Sequence, residues 1–239
     1  MKPRGTDKQE IIKRAVAKEA VKHVKNNQVI GLGSGTTVAY AIMELGKRQL
    51  QILAVPSSYQ AFLLATRCHI QTTSLDEHPR LDLTIDGADQ VETKTLNMIK
   101  GMGGALAREK IVEAASRENV IIIDRTKLVP KLGTKQQLVP IEVLPFALAT
   151  VVSRLKALKG RPCLREGTSK VGPVVTDNGN FILDVDFGVI RDAEKLDSQI
   201  KLTPGVIETG LFLNLATTVY VGTEAKVEKL VKSEPETEE

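Results

Sequence analysis

A glycine-rich segment, Gly31 to Thr37 (GLGSGTT), has the composition of a phosphate-binding turn. It lies between a predicted strand, Val29-Ile30-Gly31, and a predicted helix from about Thr37 to Leu45. Free backbone N–H groups at a helix N-terminus attract an anion, and the hydroxyls of Ser34, Thr36 and Thr37 can donate to phosphate oxygens. No Gly-Lys-Ser/Thr follows, as a P-loop would need, and Thr36 breaks the G-x-G-x-x-G pattern. The alternative is a tight turn capped by hydroxyls.

A second candidate is the acidic turn Asp86-Gly87-Ala88-Asp89, which follows a predicted buried strand, Leu81 to Ile85. Open α/β sheets bind their ligands at the carboxyl ends of the strands. Two aspartates there suit hydrogen bonds to sugar hydroxyls or proton transfer during ring opening. A magnesium ion could use the same oxygens, and an Asx-type turn without a ligand is a third interpretation.

A third candidate brings a lysine and a glutamate together around three glycines, in the segment Lys100-Gly101-Met102-Gly103-Gly104 and the helix after it. Glu109 lies about one turn into that helix and four residues before Glu113, a like-charge spacing that is mildly destabilising in water. The spacing makes sense if one of the two glutamates points into a pocket. Read alone, Glu109 is by default a solvated helix residue. His23, His69 and His78 share no motif, so acid–base chemistry falls to carboxylates and lysine.

Strands and helices alternate through the first half of the chain, which predicts a Rossmann-like parallel sheet with helices on both faces. After Asp124 the pattern becomes β-α-β-β-α-β, the split βαβ order of a smaller, ferredoxin-like α+β domain. Its Asn178-Gly179 pair predicts a hairpin turn within the β-like run 173–187. We expect a discontinuous catalytic domain, 1–130 and 211–239, around a small domain, 131–210. The run 217–221 should return to the first sheet, and 225–231 is predicted to be a last helix.

Composition argues against several classes of partner. The net charge is +4, but aromatic residues make up 3% of the 239 residues, and no basic stripe is interleaved with them, so nucleic-acid binding is not expected. The lysines of the first predicted helix are interpreted as a solvated face. No apolar run approaches the roughly 18 residues that span a bilayer, so no membrane contact and a cytoplasmic location are expected. The two cysteines, Cys68 and Cys163, fit neither a zinc site nor a disulfide framework.

The order of these motifs resembles that of the ribose-5-phosphate isomerases of type A. The motifs that carry the resemblance follow one another along the first domain as GLGSGTT (31–37), VPSS (55–58), DGAD (86–89), KGMGGALAREK (100–110) and IDRTK (123–127). Two more lie in the small domain, VVTDNGN (174–180) and PGV (204–206). The resemblance covers nearly the whole chain. It implies interconversion of D-ribose 5-phosphate and D-ribulose 5-phosphate in the non-oxidative branch of the pentose phosphate pathway, with Glu109 as the catalytic base. The substrate contacts that it implies are Ser34, Gly35, Thr36, Thr37, Asp86, Gly87, Ala88, Asp89, Lys100, Gly101, Met102, Gly103 and Lys127. Met102 departs from the family, which commonly has glycine there.

The chemistry of an aldose–ketose isomerase gives each candidate a role. A proton moves from C2 to C1 through an enediolate, which needs one base, one electrophile and one phosphate anchor. Our hypothesis is that Glu109 shuttles the proton and Lys100 stabilises the enediolate, while Asp86 assists ring opening and Asp89 orients hydroxyls. No metal or organic cofactor is then required.

Other functions remain open at this point. A sugar-phosphate sensor would keep the phosphate turn without needing Lys100 and Glu109. An amino-sugar phosphate deaminase and an acyl-CoA transferase have similar architecture. An NAD enzyme is disfavoured because Val55-Pro56-Ser57-Ser58 ends without an acidic residue for the ribose. We expect a homodimer or homotetramer, and the sequence favours neither.

Overall fold

The computed structural model describes residues 7–168 and 171–232. The helices are α1 (Asp7–Ala20), α2 (Thr36–Arg48), α3 (Tyr59–Arg67), α4 (Leu106–Ala114), α5 (Leu148–Ala157) and α6 (Ala193–Lys201). The strands are β1 (Val29–Leu32), β2 (Leu53–Pro56), β3 (Gln71–Thr72), β4 (Leu81–Gly87), β5 (Gln90–Glu92), β6 (Met98–Ile99), β7 (Ser116–Asp124), β8 (Leu128–Val129), β9 (Val139–Val143), β10 (Arg161–Leu164), β11 (Phe181–Asp186), β12 (Val206–Thr209), β13 (Leu211–Phe212), β14 (Thr218–Gly222) and β15 (Val227–Val231).

A large sheet of seven strands has the order β15-β14-β7-β4-β1-β2-β3. All neighbours pair in parallel except β14 and β15. The predicted return of 217–221 to this sheet is therefore confirmed. The predicted helix at 225–231 is wrong, because that segment is the antiparallel edge strand β15. A turn between Thr223 and Lys226, closed by their backbone hydrogen bond of 2.9 Å, reverses the chain directly onto β14.

Helices cover both faces of the large sheet, as predicted. Alternate residues of β7 make this visible: Val120 and Ile122 pack in the same core as α1, α2 and α3, whereas Ile121 and Ile123 pack with Leu106 of α4 on the opposite face. A strand with apolar residues on both faces is typical of a parallel sheet between two helical layers. The Rossmann-like prediction is confirmed.

A small α+β unit, formed by β9 to β12 with α5 and α6, has the chain order β-α-β-β-α-β that the sequence predicts. Its antiparallel sheet has the order β10-β11-β9-β12. Only Phe181–Asp186 of the predicted run 173–187 is a continuous strand, since Pro173 and Val175 make isolated bridges. The turn at Gly179 is present, with a positive φ of 82°. The exact division at 130 and 210 stays a prediction.

A bridging sheet of four short strands, β13-β6-β5-β8, joins the large sheet to the small α+β unit. The sequence did not predict it, because strands of two or three residues are too short to show a periodicity. Its backbone fixes the lysine of the third motif: Lys100 N donates to Gly210 O at 2.9 Å, and Gly210 N donates to Pro140 O at 2.6 Å. A Cβ on Gly210 would lie 2.4 Å from Lys100 O, so this contact requires glycine.

The packing of β1 against α4 gives a stability prediction. A Cβ on Gly31 would lie 2.1 Å from Thr84 Oγ1 and 2.4 Å from Val112 Cγ1, inside a close-packed core. We expect Gly31→Ala to lower the free energy of unfolding by about 1–3 kcal/mol, the usual effect of overpacking, measured by urea denaturation. Gly103→Ala is the control, because a Cβ there meets nothing within 4 Å. Equal stability of the two variants would contradict the packing described here.

Candidate active site

The first two motifs meet at the centre of the large sheet. The chain leaves β1 towards β2 and β3, and later leaves β4 in the other direction, towards β7 and β14. Such a switch point opens a crevice at the carboxyl ends of the two strands. An open cleft lies there. Its lining comprises Ser34, Gly35, Thr36, Thr37, Asp86, Gly87, Ala88, Asp89, Lys100, Gly101, Gly103, Glu109 and Lys127.

Thirteen of the fourteen predicted site residues therefore line one cleft. The exception is Met102, which is 48% exposed and is not part of the lining. Its backbone still takes part, since Met102 N donates to Asp89 Oδ2 at 2.9 Å. The substrate contact that the resemblance implies at Met102 stays a prediction, with the backbone N–H rather than the side chain next to the acidic turn.

The glycine-rich turn after β1 is held against the acidic turn. A Cβ on Gly33 would lie 1.9 Å from Asp86 Cγ, so only glycine permits this approach. Ser34 N donates to Asp86 Oδ1 at 3.2 Å, and Ser34 Oγ bonds to the hydroxyls of Ser57 and Ser58. Helix α2 begins at Thr36, which places its free N–H groups and positive dipole end at the cleft. The arrangement suits a phosphate better than a turn without a ligand.

Lys13, on α1, contacts the glycine-rich turn, and sequence reasoning missed this contact. Its ammonium donates to Thr36 Oγ1 at 2.8 Å and so adds a positive charge at the mouth of the turn. From the sequence, Lys13 was predicted to belong to a solvated helix face, and the Lys13 side chain is partly exposed. No local pattern separates it from the other lysines of α1, because only the packing of α1 against α2 brings it to the turn.

The acidic turn and the lysine form a buried ion pair. Lys100 Nζ lies 2.9 Å from Asp86 Oδ2 and donates to Gly87 O. Both side chains are at most 3% exposed. Burial alone would lower the pKa of Lys100, but the charges of Asp86, Glu109 and Glu113 raise it well above its ordinary value. Lys100 therefore stays protonated and can act as an electrophile.

Glu109 completes the chemical part of the cleft. It is 5% exposed, with Oε2 3.4 Å from Lys100 Nζ, so the alternative of a solvated helix residue is wrong. Burial raises the pKa of Glu109 to about 7, the charge of Asp86 adds to the rise, and Lys100 opposes it. A carboxylate with a pKa near neutrality is suited to accept and return a proton. Glu113, which the sequence singled out only by its spacing, is also buried.

Asp89 and Lys127 are the charged residues of the cleft lining that are half-buried, whereas Asp86, Lys100 and Glu109 are buried. Lys127 Nζ donates to Ala88 O at 2.8 Å, so the lysine predicted from the resemblance does meet the acidic turn. Asp86 faces Lys100, while Asp89 accepts from the backbone of Met102. Within residues 7–168 and 171–232, no three His, Cys, Asp or Glu side chains are arranged to hold a metal ion.

Two arginines connect the small α+β unit to the elements beside the cleft, Arg165 from the small unit and Arg108 from α4. Arg165, paired with Asp184, donates to the carbonyls of Gly101 and Met102 at 3.0 and 3.1 Å. Arg108, next to the base, donates to Asn178 Oδ1 at 2.6 Å and to Asp177 O at 2.8 Å. The sequence predicted the turn but not this contact, which joins residues about seventy positions apart.

A buried glutamate holds that turn in place. Glu142 Oε1 accepts hydrogen bonds from Thr176 Oγ1, Asn178 Nδ2 and Asn180 Nδ2, at 2.9 to 3.0 Å. The neighbouring Asp177 Oδ2 accepts from Tyr59 N, at the start of α3. The turn thus connects the small unit to both α3 and α4.

Comparisons with known proteins agree with this geometry. The family model for ribose 5-phosphate isomerase A (phosphoriboisomerase A) matches residues 53–226. Ribose-5-phosphate isomerase A of Methanosarcina acetivorans is 46% identical over 97% of this chain and 98% of its own length. The structure of ribose 5-phosphate isomerase A from Methanocaldococcus jannaschii covers 94% of this chain and 100% of its own, with a TM-score of 0.90 and 45% identity.

A second solved structure is a D-ribose-5-phosphate isomerase in complex with phospho-erythronic acid. It covers 95% of this chain and 100% of its own, with a TM-score of 0.91 and 42% identity. Fold and site together define an enzyme of the aldose–ketose isomerase class. More narrowly, the chain belongs to the ribose-5-phosphate isomerase A family. This assignment favours isomerase chemistry over the sensor, deaminase, transferase and NAD-dependent alternatives.

Proposed function

We propose that this chain interconverts D-ribose 5-phosphate and D-ribulose 5-phosphate through an enediolate, with Glu109 as the base. The observation that carries the proposal is the pair Glu109 and Lys100, 3.4 Å apart in the buried wall of a cleft whose other end is the turn at α2. The relative solved with phospho-erythronic acid supports it, because that ligand carries a phosphate and a carboxylate at opposite ends, as an enediolate phosphate carries two negative centres.

The residues divide the reaction between them. Asp86 assists ring opening, and Asp89 orients the sugar hydroxyls. Glu109 removes the C2 proton and returns it to C1, while the ammonium of Lys100 faces the oxygen on which negative charge develops. The phosphate lies at the start of α2, where Ser34, Gly35, Thr36 and Thr37 donate to it and Lys13 adds a charge. Gly87, Ala88, Gly101, Gly103 and Lys127 line the space between.

The pH dependence follows from the base. Glu109 acts in its ionised form, and its pKa is raised to about 7. We therefore expect kcat/KM to fall about tenfold per pH unit below pH 7, as the carboxylate is protonated.

Glu109→Gln, which keeps the shape of the side chain but cannot take a proton, should lose about 10²- to 10⁴-fold in kcat. The assay is the conversion of ribose 5-phosphate by purified protein.

The control for Glu109→Gln is Glu92→Gln, which removes an equally buried carboxylate that pairs with Lys131 outside the cleft. It should retain wild-type kinetics. Activity should also persist in a chelator, since Lys100 supplies the positive charge. An unimpaired Glu109→Gln variant would remove Glu109 as the base, and activity lost on chelation would contradict the roles given to Lys100.

The phosphate site has a separate test. Thr36→Val removes the hydroxyl that accepts from Lys13 and keeps the shape of the side chain. Because hydrogen bonds to charged groups contribute about 1.5–3 kcal/mol, KM for ribose 5-phosphate should rise about tenfold or more, with kcat little changed. Lys13→Met should act in the same direction. Thr66→Val, on the exposed side of α3, is the control. If Thr36→Val and Lys13→Met both kept the wild-type KM, the phosphate would bind elsewhere.

We also propose that the chain self-associates, as a homodimer or a homotetramer, through the small α+β unit. Three large apolar side chains are exposed there: Leu144 (44%), Phe146 (98%) and Leu202 (82%). Leu144 N donates to Gly205 O at 2.8 Å, so the two segments that carry these side chains are adjacent. An exposed apolar patch of this kind is typical of an interface.

Sedimentation velocity tests this proposal. Phe146→Asp should shift the protein towards a smaller species, because a charge would then be buried in the interface. Ile11→Asp, at a site 61% exposed on α1, should leave the sedimentation coefficient unchanged. A wild-type monomer, or an unchanged oligomer in Phe146→Asp, would contradict the proposed interface.

The last part of the proposal concerns the partners of the enzyme and its location in the cell. The dispersed charge and the few aromatic residues support a small-molecule enzyme without a nucleic-acid partner. None of the helices in the described part of the chain combines the length and the apolar character needed to cross a bilayer. We place the enzyme in the cytoplasm, in the non-oxidative branch of the pentose phosphate pathway.

A further inference from the structure

Glu113 is a buried carboxylate that the mechanism above does not use. It lies one helical turn beyond Glu109 on α4, with Oε1 3.3 Å from Lys100 Nζ and a fully buried side chain. It does not line the cleft, so it does not touch a substrate bound there. Within the described residues, neither of its carboxylate oxygens has a hydrogen-bond partner of good geometry.

The charges around Lys100 do not balance if every group is ionised. Asp86, Glu109 and Glu113 all lie within 3.4 Å of one ammonium. Three carboxylates would leave two negative charges uncompensated in a buried site, which is strongly unfavourable. At least one of the three must therefore keep a proton near neutral pH.

Hydrogen bonds and helix position determine which of the three carboxyl groups keeps the proton. Asp86 accepts hydrogen bonds from the backbone N–H groups of Ser34 and Gly87, which favour its ionised form. Glu109 lies in the first turn of α4, where the helix dipole stabilises a negative charge. Glu113 lies in the last turn of the same helix, where the dipole opposes one. Position and hydrogen bonding thus both leave the proton on Glu113.

We propose that Glu113 is a positioning residue that stays protonated while the enzyme works, so that Glu109 can ionise and Lys100 remains available to the substrate. A neutral Glu113 offers an oxygen to the Lys100 ammonium and adds no competing charge. Once it ionises, it attracts Lys100 away from the enediolate and opposes the negative charge that develops there. The inference rests on the proposed isomerase function.

The groups that face Glu113 come from several elements. β4 contributes Asp86, the loop after β6 contributes Lys100, and α4 itself contributes Glu109. On β7, Asn119 donates to the backbone oxygen of Glu113. The carboxylates of the other strands packed against α4 are engaged elsewhere, Glu208 of β12 by Lys110 and Glu142 of β9 by the turn at Asn178.

The pKa values of Glu113 and Glu109 agree with a proton held on Glu113. Burial raises the pKa of Glu113 to about 8, with Lys100 opposing the rise and the charges of Asp86 and Glu109 adding to it. The corresponding value for Glu109 is about 7. Both values are raised, and the helix dipole, which favours the charge on Glu109 and opposes it on Glu113, makes Glu109 the first of the two to ionise as the pH rises.

Kinetics test the proposal through the pH profile. Wild-type kcat/KM should decline above about pH 8, and Glu113→Gln, which is permanently neutral, should keep kcat within about threefold at pH 7 and lose that decline. Glu113→Met, of similar size but without an oxygen for Lys100, should lower kcat about tenfold or more with little change in KM. Glu92→Gln should follow the wild-type profile. Superimposable profiles of wild type and Glu113→Gln would overturn the proposal.

Thermal unfolding gives a readout that does not need activity, and so separates this inference from the proposed function. The folded-state pKa of Glu113 lies above that of the unfolded chain, about 4.5, so its contribution to stability is lost as the pH rises from about 5 to about 8. Glu113→Gln lacks this loss. Its Tm should therefore gain on that of the wild type across this range and then level off, whereas a gap that is constant with pH would show that Glu113 carries no such proton.

Discussion

The buried ammonium of Lys100 is the interaction on which the rest of the site depends. Removing a charge from water costs several kcal/mol, and the cost is offset only by partners of good geometry. Lys100 has Asp86 at 2.9 Å, the carbonyl of Gly87, and two glutamates within 3.4 Å. These partners come from a strand end and a helix, so a shift of either element would leave a buried charge unpaired. The cluster therefore constrains the positions of both.

Close backbone approaches supply that precision. Gly33 lets the turn after β1 contact the Asp86 carboxylate, and Gly210 lets the bridging sheet contact Lys100. Either Cβ would require backbone to move, since the distances would be 1.9 and 2.4 Å. The large sheet thus provides the crevice, and the bridging sheet fixes the lysine in it. The small α+β unit then holds the neighbouring loop through Arg165 and the start of α4 through Arg108.

Local signals in the sequence were sufficient for most of the fold and for the three motifs, and the resemblance to the isomerase family supplied the remaining residues that line the cleft. The strand before Asp86 and the turn before α2 could be predicted because apolar runs and glycines act over a few residues. Lys13, Arg165 and the burial of Glu109 could not, because they depend on contacts between distant segments. The strand at Val227–Val231 was mistaken for a helix, since its pairing with β14 carries little signal in five residues.

Lys110 shows why Lys100, of the two lysines beside Phe212, is the one suited to an electrophilic role. Both ammonium groups lie about 5 Å from the centre of that ring, at 5.2 Å for Lys100 and 4.9 Å for Lys110. Burial lowers the pKa of Lys110, because its attraction to Glu208 is too weak to offset the loss of water. Lys100 is also buried, but the charges of three carboxylates more than offset its loss of water, and its pKa rises instead. A lysine that must hold its positive charge while a neighbouring oxygen becomes negative needs this excess of carboxylates. The excess in turn requires one of those carboxylates to remain protonated.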